Sequence, residues 1–297
     1  MFLKLSQRCF GIALVFLSVS SSAQIIVIDD LGREIKLASP ATRIVSLAPH
    51  NTENLFTAGA GKLVVGTVDY SDYPKAALEI PRVGGYSKIN IEAILAAKPD
   101  LIIAWSSGNS SQTTRRLIDL GLPVYFSQPD TLEAIIRNIE QFSVMTDTSN
   151  IAAPKLKKMR EVVATLKQKY AKRAPVLVFY QVWNQPLITL NGQHVVSEAF
   201  KICGAKNVFS DEPTIAPKVS IEGVIASNPQ LILLAGHTKV QSAEWRQNWQ
   251  KWPVIDAVKH NAVSYIDANI MNRPTLRFIE GVRQVCDIVA QTRANLR

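Results

Sequence analysis

Three groups of side chains in this sequence carry chemistry beyond packing. The first is the histidines. His50 follows the apolar run Arg43 to Leu47, which reads as a buried strand, so it stands in a loop at a strand end. A neutral imidazole there can touch a ligand or approach a metal, although a lone histidine serves equally well as a packing or capping residue. His194, His237 and His260 share no ligand spacing with it. A zinc or manganese site needs clustered histidines and carboxylates, so no metal site is expected. Ser46 lies near His50, but a nucleophile needs an oriented base and an oxyanion site. No Gly-x-Ser-x-Gly elbow, phosphate loop, Rossmann glycine fingerprint or His-Glu-x-x-His occurs. The expectation is no enzymatic activity and no cofactor.

The second group is a pair of glutamates inside an internal repeat. Residues 90–102, Asn-Ile-Glu-Ala-Ile-Leu-Ala-Ala-Lys-Pro-Asp-Leu-Ile, align without a gap on residues 220–232, Ser-Ile-Glu-Gly-Val-Ile-Ala-Ser-Asn-Pro-Gln-Leu-Ile. A looser echo links residues 56–62 to residues 200–206. Two matches in the same order predict two lobes of like architecture. Glu92 and Glu222 stand in the first turn of a helix in each copy, where the helix dipole favours a carboxylate. For one glutamate that would suffice. Two at equivalent points make symmetric negative posts suited to a partner carrying arginines.

The third group is the cysteines, whose state depends on compartment. Residues 1–23 run from a basic start (Lys4, Arg8) through an apolar stretch, Cys9 to Leu17, to Ser21-Ser22-Ala23. That order is a secretory signal peptide with cleavage near Ala23; its apolar run is too short to span a bilayer. Cys203 and Cys286 remain after cleavage, and export to an oxidising compartment favours their pairing in one disulfide over two buried thiols. No later stretch is apolar enough to span a membrane, so a soluble periplasmic protein is expected. The formal charge of +9, two units of it in the leader, is spread over helical faces, which argues against nucleic acid as partner.

The elements that must position these residues are legible. Residues 25–39 alternate around Asp30-Leu31-Gly32, as a hairpin does. Asn51 and Thr52 read as caps of a helix with Leu55 and Phe56 inside, ended by Gly59 and Gly61. Short apolar strands then alternate with helices to about residue 145, the pattern of a parallel sheet covered by helices. From about Ala153 to Ala171, Leu156, Met159, Val162, Val163, Leu166 and Tyr170 recur at helical spacing among lysines, predicting one long amphipathic connector. Strands and helices resume at Pro175. The expected organisation is a leader at 1–23, an N-terminal lobe at 24–150, a connecting helix at 151–173 and a C-terminal lobe at 174–297.

Several segments together are similar to one family. Residues 45–53 (Val-Ser-Leu-Ala-Pro-His-Asn-Thr-Glu), 70–74 (Tyr-Ser-Asp-Tyr-Pro), 98–105 (Lys-Pro-Asp-Leu-Ile-Ile-Ala-Trp), Cys203-Gly204 with Asn207-Val208-Phe209, and 269–277 (Asn-Ile-Met-Asn-Arg-Pro-Thr-Leu-Arg) resemble the periplasmic cobalamin-binding proteins of ABC importers. The resemblance runs from about residue 43 to the end. It implies an α/β fold of two Rossmann-like lobes, each a mainly parallel sheet flanked by helices, joined by one long rigid helix and moving little on binding. It implies a monomer that holds cobalamin or a related corrinoid between the lobes and docks on permease subunits, with Glu92 and Glu222 meeting the permease. It also implies a Cys203–Cys286 disulfide within the second lobe. Ligand contacts carry over onto Tyr70 and the loop Asn269, Ile270, Met271, Asn272 and Arg273, with cleft aromatics at Tyr86, Trp105 and Trp183; His50 faces the same cleft. A haem- or ferric-siderophore-binding protein of the same fold is the alternative.

The sequence departs from that family at the cleft. The family's Asp-Trp-Phe-Glu-Arg loop reads Asn-Ile-Met-Asn-Arg at 269–273, and a tryptophan before the second glutamate is replaced by Ala216. The cleft is therefore expected to be less aromatic and less acidic. A flat macrocycle edged with amides needs apolar faces and scattered donors. Tyr70, Tyr86, Trp105 and Trp183 can supply the first, and Asn269, Asn272 and Arg273 the second.

Overall fold

The computed structural model describes residues 24–85, 87–170 and 172–296. The expected leader and Tyr86 lie outside the described residues, so neither is placed. The hairpin forms as expected: β1 (Ile25–Ile28) pairs antiparallel with β2 (Glu34–Leu37). Its turn is held by the Asp29 carboxylate, which accepts from the Leu31 and Arg33 amides and the Arg33 guanidinium. Gly32 takes a φ of 76° there, which a side chain resists. Asp30 accepts from the Gln128 amide, Arg137 and Asn138 and so pins the hairpin to the first lobe.

That lobe contains β3 (Ile44–Ser46), α1 (Pro49–Ala58), β4 (Val64–Thr67), α2 (Ile91–Ala96), β5 (Leu101–Trp105), α3 (Ser111–Asp119), β6 (Val124–Ser127) and α4 (Leu132–Met145). Its four strands are parallel in the order β4-β3-β5-β6. Strands covered on both faces must be apolar along their whole length, and Leu101 to Ala104 are all buried. The connector α5 (Ser149–Tyr170) follows. It buries Leu156, Met159, Val163, Leu166 and Tyr170 and leaves most of its basic residues in solvent.

The second lobe contains β7 (Val176–Gln181), α6 (Val195–Ile202), β8 (Ala205–Asn207), α7 (Ile221–Ser227), β9 (Leu231–Gly236), α8 (Lys239–Trp249), α9 (Asp256–Lys259), β10 (Val263–Asp267), α10 (Ala268–Met271) and α11 (Leu276–Asn295). Its order is β10-β9-β7-β8, again parallel. Counted along the chain, both sheets run second, first, third, fourth. The internal repeat is therefore a repeat of topology. In each copy the residue before the short helix caps it with its side chain: Asn90 accepts from the Ala93 amide and Ser220 from the Gly223 amide, both at 3.0 Å. Cys203 and Cys286 form a disulfide joining the end of α6 to α11 within the second lobe.

Two local expectations change. Asn51 and Thr52 do not cap α1, which begins at Pro49 after an Ala48 that offers no side-chain cap. Proline suits the first helical turn because its amide would be unpaired there anyway. The connector begins at Ser149, upstream of the expected start, because the Thr148 carbonyl accepts from both Ile151 and Ala152. Pro154 consequently lies within α5.

One apolar cluster runs from the hairpin through α1, α4 and α5 into α6, β7 and α11. Each lobe also has a smaller cluster of its own, on the other face of its sheet. Among the described residues no helix is long and apolar enough to cross a membrane.

Candidate functional site

In a parallel α/β sheet, ligand-handling loops follow the carboxyl ends of the strands. His50 follows β3, Tyr70 follows β4, Trp105 ends β5, Trp183 follows β7, and the segment Asn269 to Arg273 follows β10. The two sets of loops face each other. Asp72 and Tyr73 from the first lobe touch Arg273 and Arg277 from the second, more than 200 residues away.

Each loop is held from behind. The hydroxyls of Ser46, Thr52, Thr67 and Ser71 form a buried network, with Thr52 and Thr67 2.6 Å apart. It ties the ends of β3 and β4 to the turn that carries Tyr70 and Asp72. Tyr70 has a positive φ of 64° and is 73% exposed. Asn109 donates to the Leu47 carbonyl and accepts from the Trp105 amide. Trp105 in turn meets the His50 ring edge-on at 5.4 Å. Trp183 stands half in solvent against Trp245.

At the cleft edge the contact between lobes is polar. The Glu53 carboxylate, buried in α1, accepts two hydrogen bonds from Arg277 at 2.8 and 2.6 Å. The Tyr73 ring covers the same guanidinium at 3.8 Å. Asn54 donates to the Pro274 carbonyl. The second copy does likewise: Glu198 of α6 accepts from the Leu132 amide at the start of α4. Each lobe's first helix thus reaches the entry of the other lobe's last large helix. A crevice of about 460 Å³ adjoins this second contact, between Asp130 and Thr131 on one side and Gly192 to His194, Glu198 and Lys201 on the other.

Arg273 pairs with Asp72 through both nitrogens of its fork and leans on the Asn269 carboxamide. Burial pushes the Asp72 carboxyl up. The hydrogen bond and charge of Arg273, Asp72's own amide and the Arg277 charge outweigh that and hold it below the ordinary carboxylate value. Burial, with help from the Arg273 charge, holds His50 down at about 3, and burial alone holds His194 at about 4. The His50 Nε2, both polar atoms of the Asn51 side chain, the Asn54 Oδ1 and the Thr275 hydroxyl are buried without a hydrogen-bond partner among the described residues.

The expected residues divide on placement. Tyr70, Trp105, Trp183, Asn269 and Arg273 stand at strand ends with their side chains at least partly accessible. His50 is almost wholly buried beneath Trp105. Asn272 is occupied by the Tyr180 hydroxyl, and Ile270 leans on Gly281 of α11. Met271, expected at the cleft, is wholly buried and packs on the same glycine. It is a core residue, because α10 turns that side of the loop inward. Glu92 and Glu222 are both exposed, each in the first turn of its helix. Asp72, Tyr73, Glu53 and Arg277 were not foreseen as a set. Glu53 inside an otherwise buried helix was the one available signal.

Comparison with known proteins agrees with this fold. The family described as periplasmic binding protein matches residues 44–270. A vitamin B12-binding protein of Vibrio cholerae is 41% identical over 247 residues, covering 83% of this chain and 88% of that protein. The crystal structure of the periplasmic vitamin B12-binding protein BtuF of Vibrio cholerae superposes with a TM-score of 0.80 at 40% identity, over 86% of this chain and 98% of that one. The periplasmic haem-binding protein BhuT, with a TM-score of 0.74 at 17% identity over 84% of this chain and 98% of that one, shares the fold.

Breaking a buried pair from one side strands a charge and costs about 3–5 kcal/mol. Glu53→Ala is expected to destabilise by about 3 kcal/mol or more in urea unfolding, and Glu53→Ala with Arg277→Ala by clearly less than the sum of the single changes. Additive costs would show that the two groups do not act together. The histidines give a pH dependence. Their folded pKa values lie below the unfolded value of about 6.5. The unfolded chain therefore takes up protons that the fold refuses, and stability is lost as pH falls from about 6.5 towards 3–4. Urea midpoints at pH 7 and pH 5 should differ less for His50→Gln than for the unaltered protein; an equal difference would remove His50 from this account.

Proposed function

The chain belongs to the periplasmic binding protein family, and we propose that it captures cobalamin, or a related corrinoid, between its lobes in the periplasm and delivers it to the membrane subunits of an ABC importer. The observation that carries this reading is that Tyr70, Trp105, Trp183 and Arg273 all follow or end strands at their carboxyl ends, in two lobes that the Asp72–Arg273 pair joins at that side. The 41% identity to a vitamin B12-binding protein supports the choice of ligand. Flat aromatic faces beside a few amide and guanidinium donors suit a macrocycle with amide arms. No catalytic step is needed. The likeness to haem-binding proteins supports the fold alone.

The same reading takes residues 1–23 as an export leader removed near Ala23, 24–150 and 174–297 as the lobes, and 151–173 as the connector. It takes Glu92 and Glu222 as the posts that meet the importer. Both sit on helices whose caps lie at the strand-end side of their lobes: the Asn90 amide donates to Val83, which pairs with the end of β4, and the Val219 amide donates to Leu187 beyond β7. They therefore flank the loops that hold the ligand.

Two measurements test the reading. Cobalamin added to the mature protein should quench tryptophan fluorescence and co-elute with it, whereas haem and a ferric siderophore should not; no binding of cobalamin or cobinamide at micromolar protein removes the corrinoid. Glu92→Ala with Glu222→Ala should leave ligand affinity within about twofold, since exposed charges contribute little to the fold, but reduce uptake through the importer. Undiminished uptake would count against the posts.

A further inference from the structure

We propose that Asp72 sets the charge the cleft offers, by neutralising Arg273 from across the lobes until a ligand's anionic group replaces its carboxylate. The inference rests on the corrinoid reading and deepens it. Two ion pairs cross this edge of the cleft, and they are unlike. Glu53 is wholly buried, its side chain 2% exposed, and it holds Arg277 with both carboxylate oxygens. Asp72 is 50% exposed at its side chain and reaches from solvent to Arg273, whose side chain is 14% exposed. A carboxylate half in solvent keeps water as an alternative partner and is released more readily than one buried as Glu53 is. The buried pair keeps the loops together; the exposed pair is the one that gives way.

Arg273 does not depend on Asp72 for its direction. Asn269 accepts from it within its own lobe, and the neighbouring Arg277 stays fixed by Glu53 and Tyr73. Release of Asp72 therefore leaves a guanidinium in place, facing the cleft and short of a partner. Two cations, Arg273 and Arg277, stand against two anions, Asp72 and Glu53, so this edge is balanced and displacing Asp72 uncovers one positive charge. A planar guanidinium pairs best with two oxygens of one anionic group, as a phosphate provides. Complete cobalamin carries a phosphodiester in its nucleotide loop, and cobinamide lacks it. Asp72 then competes with the first ligand and not with the second.

The test measures affinities of cobalamin and cobinamide for the unaltered protein, Asp72→Asn, Asp72→Ser, Arg273→Gln and the Asp72→Asn/Arg273→Gln double variant. Removing the competing carboxylate should tighten cobalamin roughly three- to tenfold, the scale of an exposed ion pair and a charge-assisted bond, and leave cobinamide within about twofold. In the Arg273→Gln background Asp72→Asn should change neither. The ratio of the two affinities is the readout, because a merely structural change would move both ligands alike. Cobalamin binding that is unchanged or weakened in Asp72→Asn and Asp72→Ser, or equal shifts for both ligands, overturns the role of Asp72 and leaves the corrinoid reading standing. Failure of the unaltered protein to bind either ligand overturns that reading, and this inference with it.

Discussion

The rest of the structure depends on one continuous apolar core that passes behind both lobes. Its members come from the hairpin, α1, α4, the connector α5, and then α6, β7 and α11. Burial of this kind is non-directional and scales with area, so it fixes the lobes at their backs without dictating what their fronts do. The connector is not a tether between independent bodies. Leu156, Met159 and Val163 belong to the same cluster as Leu55 of the first lobe and Val285 of the second. A helix that shares its core with both neighbours resists bending, because any hinge motion would expose packed side chains.

The front is governed by different physics. Where α1 approaches the second lobe it presents His50, Asn51, Glu53 and Asn54, all buried. Only some of these groups are paired across the seam, and each unpaired buried polar atom opposes the contact by about 1–3 kcal/mol. Where α1 meets the second lobe, the adhesion comes mainly from the Glu53–Arg277 pair and the Asn54 contact. A strong apolar back and a polar front together leave the cleft edge as the place where a ligand can change the interactions at low cost. The same division explains why loops at the strand ends are fixed by hydroxyls and carboxamides, which are directional, and not by further apolar packing.

What was legible in the sequence follows from the same division. The parallel sheets were readable because strands covered on both faces must be apolar throughout, as Leu101 to Ala104 and Leu231 to Gly236 are. The duplication was readable because the cap, the first-turn glutamate and the proline before the strand are local requirements that recur wherever the topology recurs. The cross-lobe pairs were not. Glu53 and Arg277 are 224 residues apart, and nothing local to either announces the other. Met271 was misplaced for a related reason: the resemblance aligned a loop, but the short α10 inside it decides which side chains face Gly281. Asn51 looked like a cap because its residue type favours caps, and the preceding Pro49 had already claimed the helix start.

The composition of the 269–273 segment bears on selectivity through charge. Asn269 and Asn272 bring no charge to the neighbourhood of Arg273, and their amides are already engaged. Asn272 accepts from Tyr180, and Asn269 accepts from Arg273 itself. Neither neutralises a guanidinium as a carboxylate does. The balancing charge must then come from the facing lobe, and among the described residues Asp72 is the carboxylate that reaches Arg273. A site that carried its own acid on the same loop would keep its arginine satisfied whether or not the lobes were in register. Here the arginine is satisfied across the cleft. A ligand that takes the place of Asp72 therefore changes the charge balance of the cleft edge, while the Glu53–Arg277 pair and the shared core keep the lobes in register.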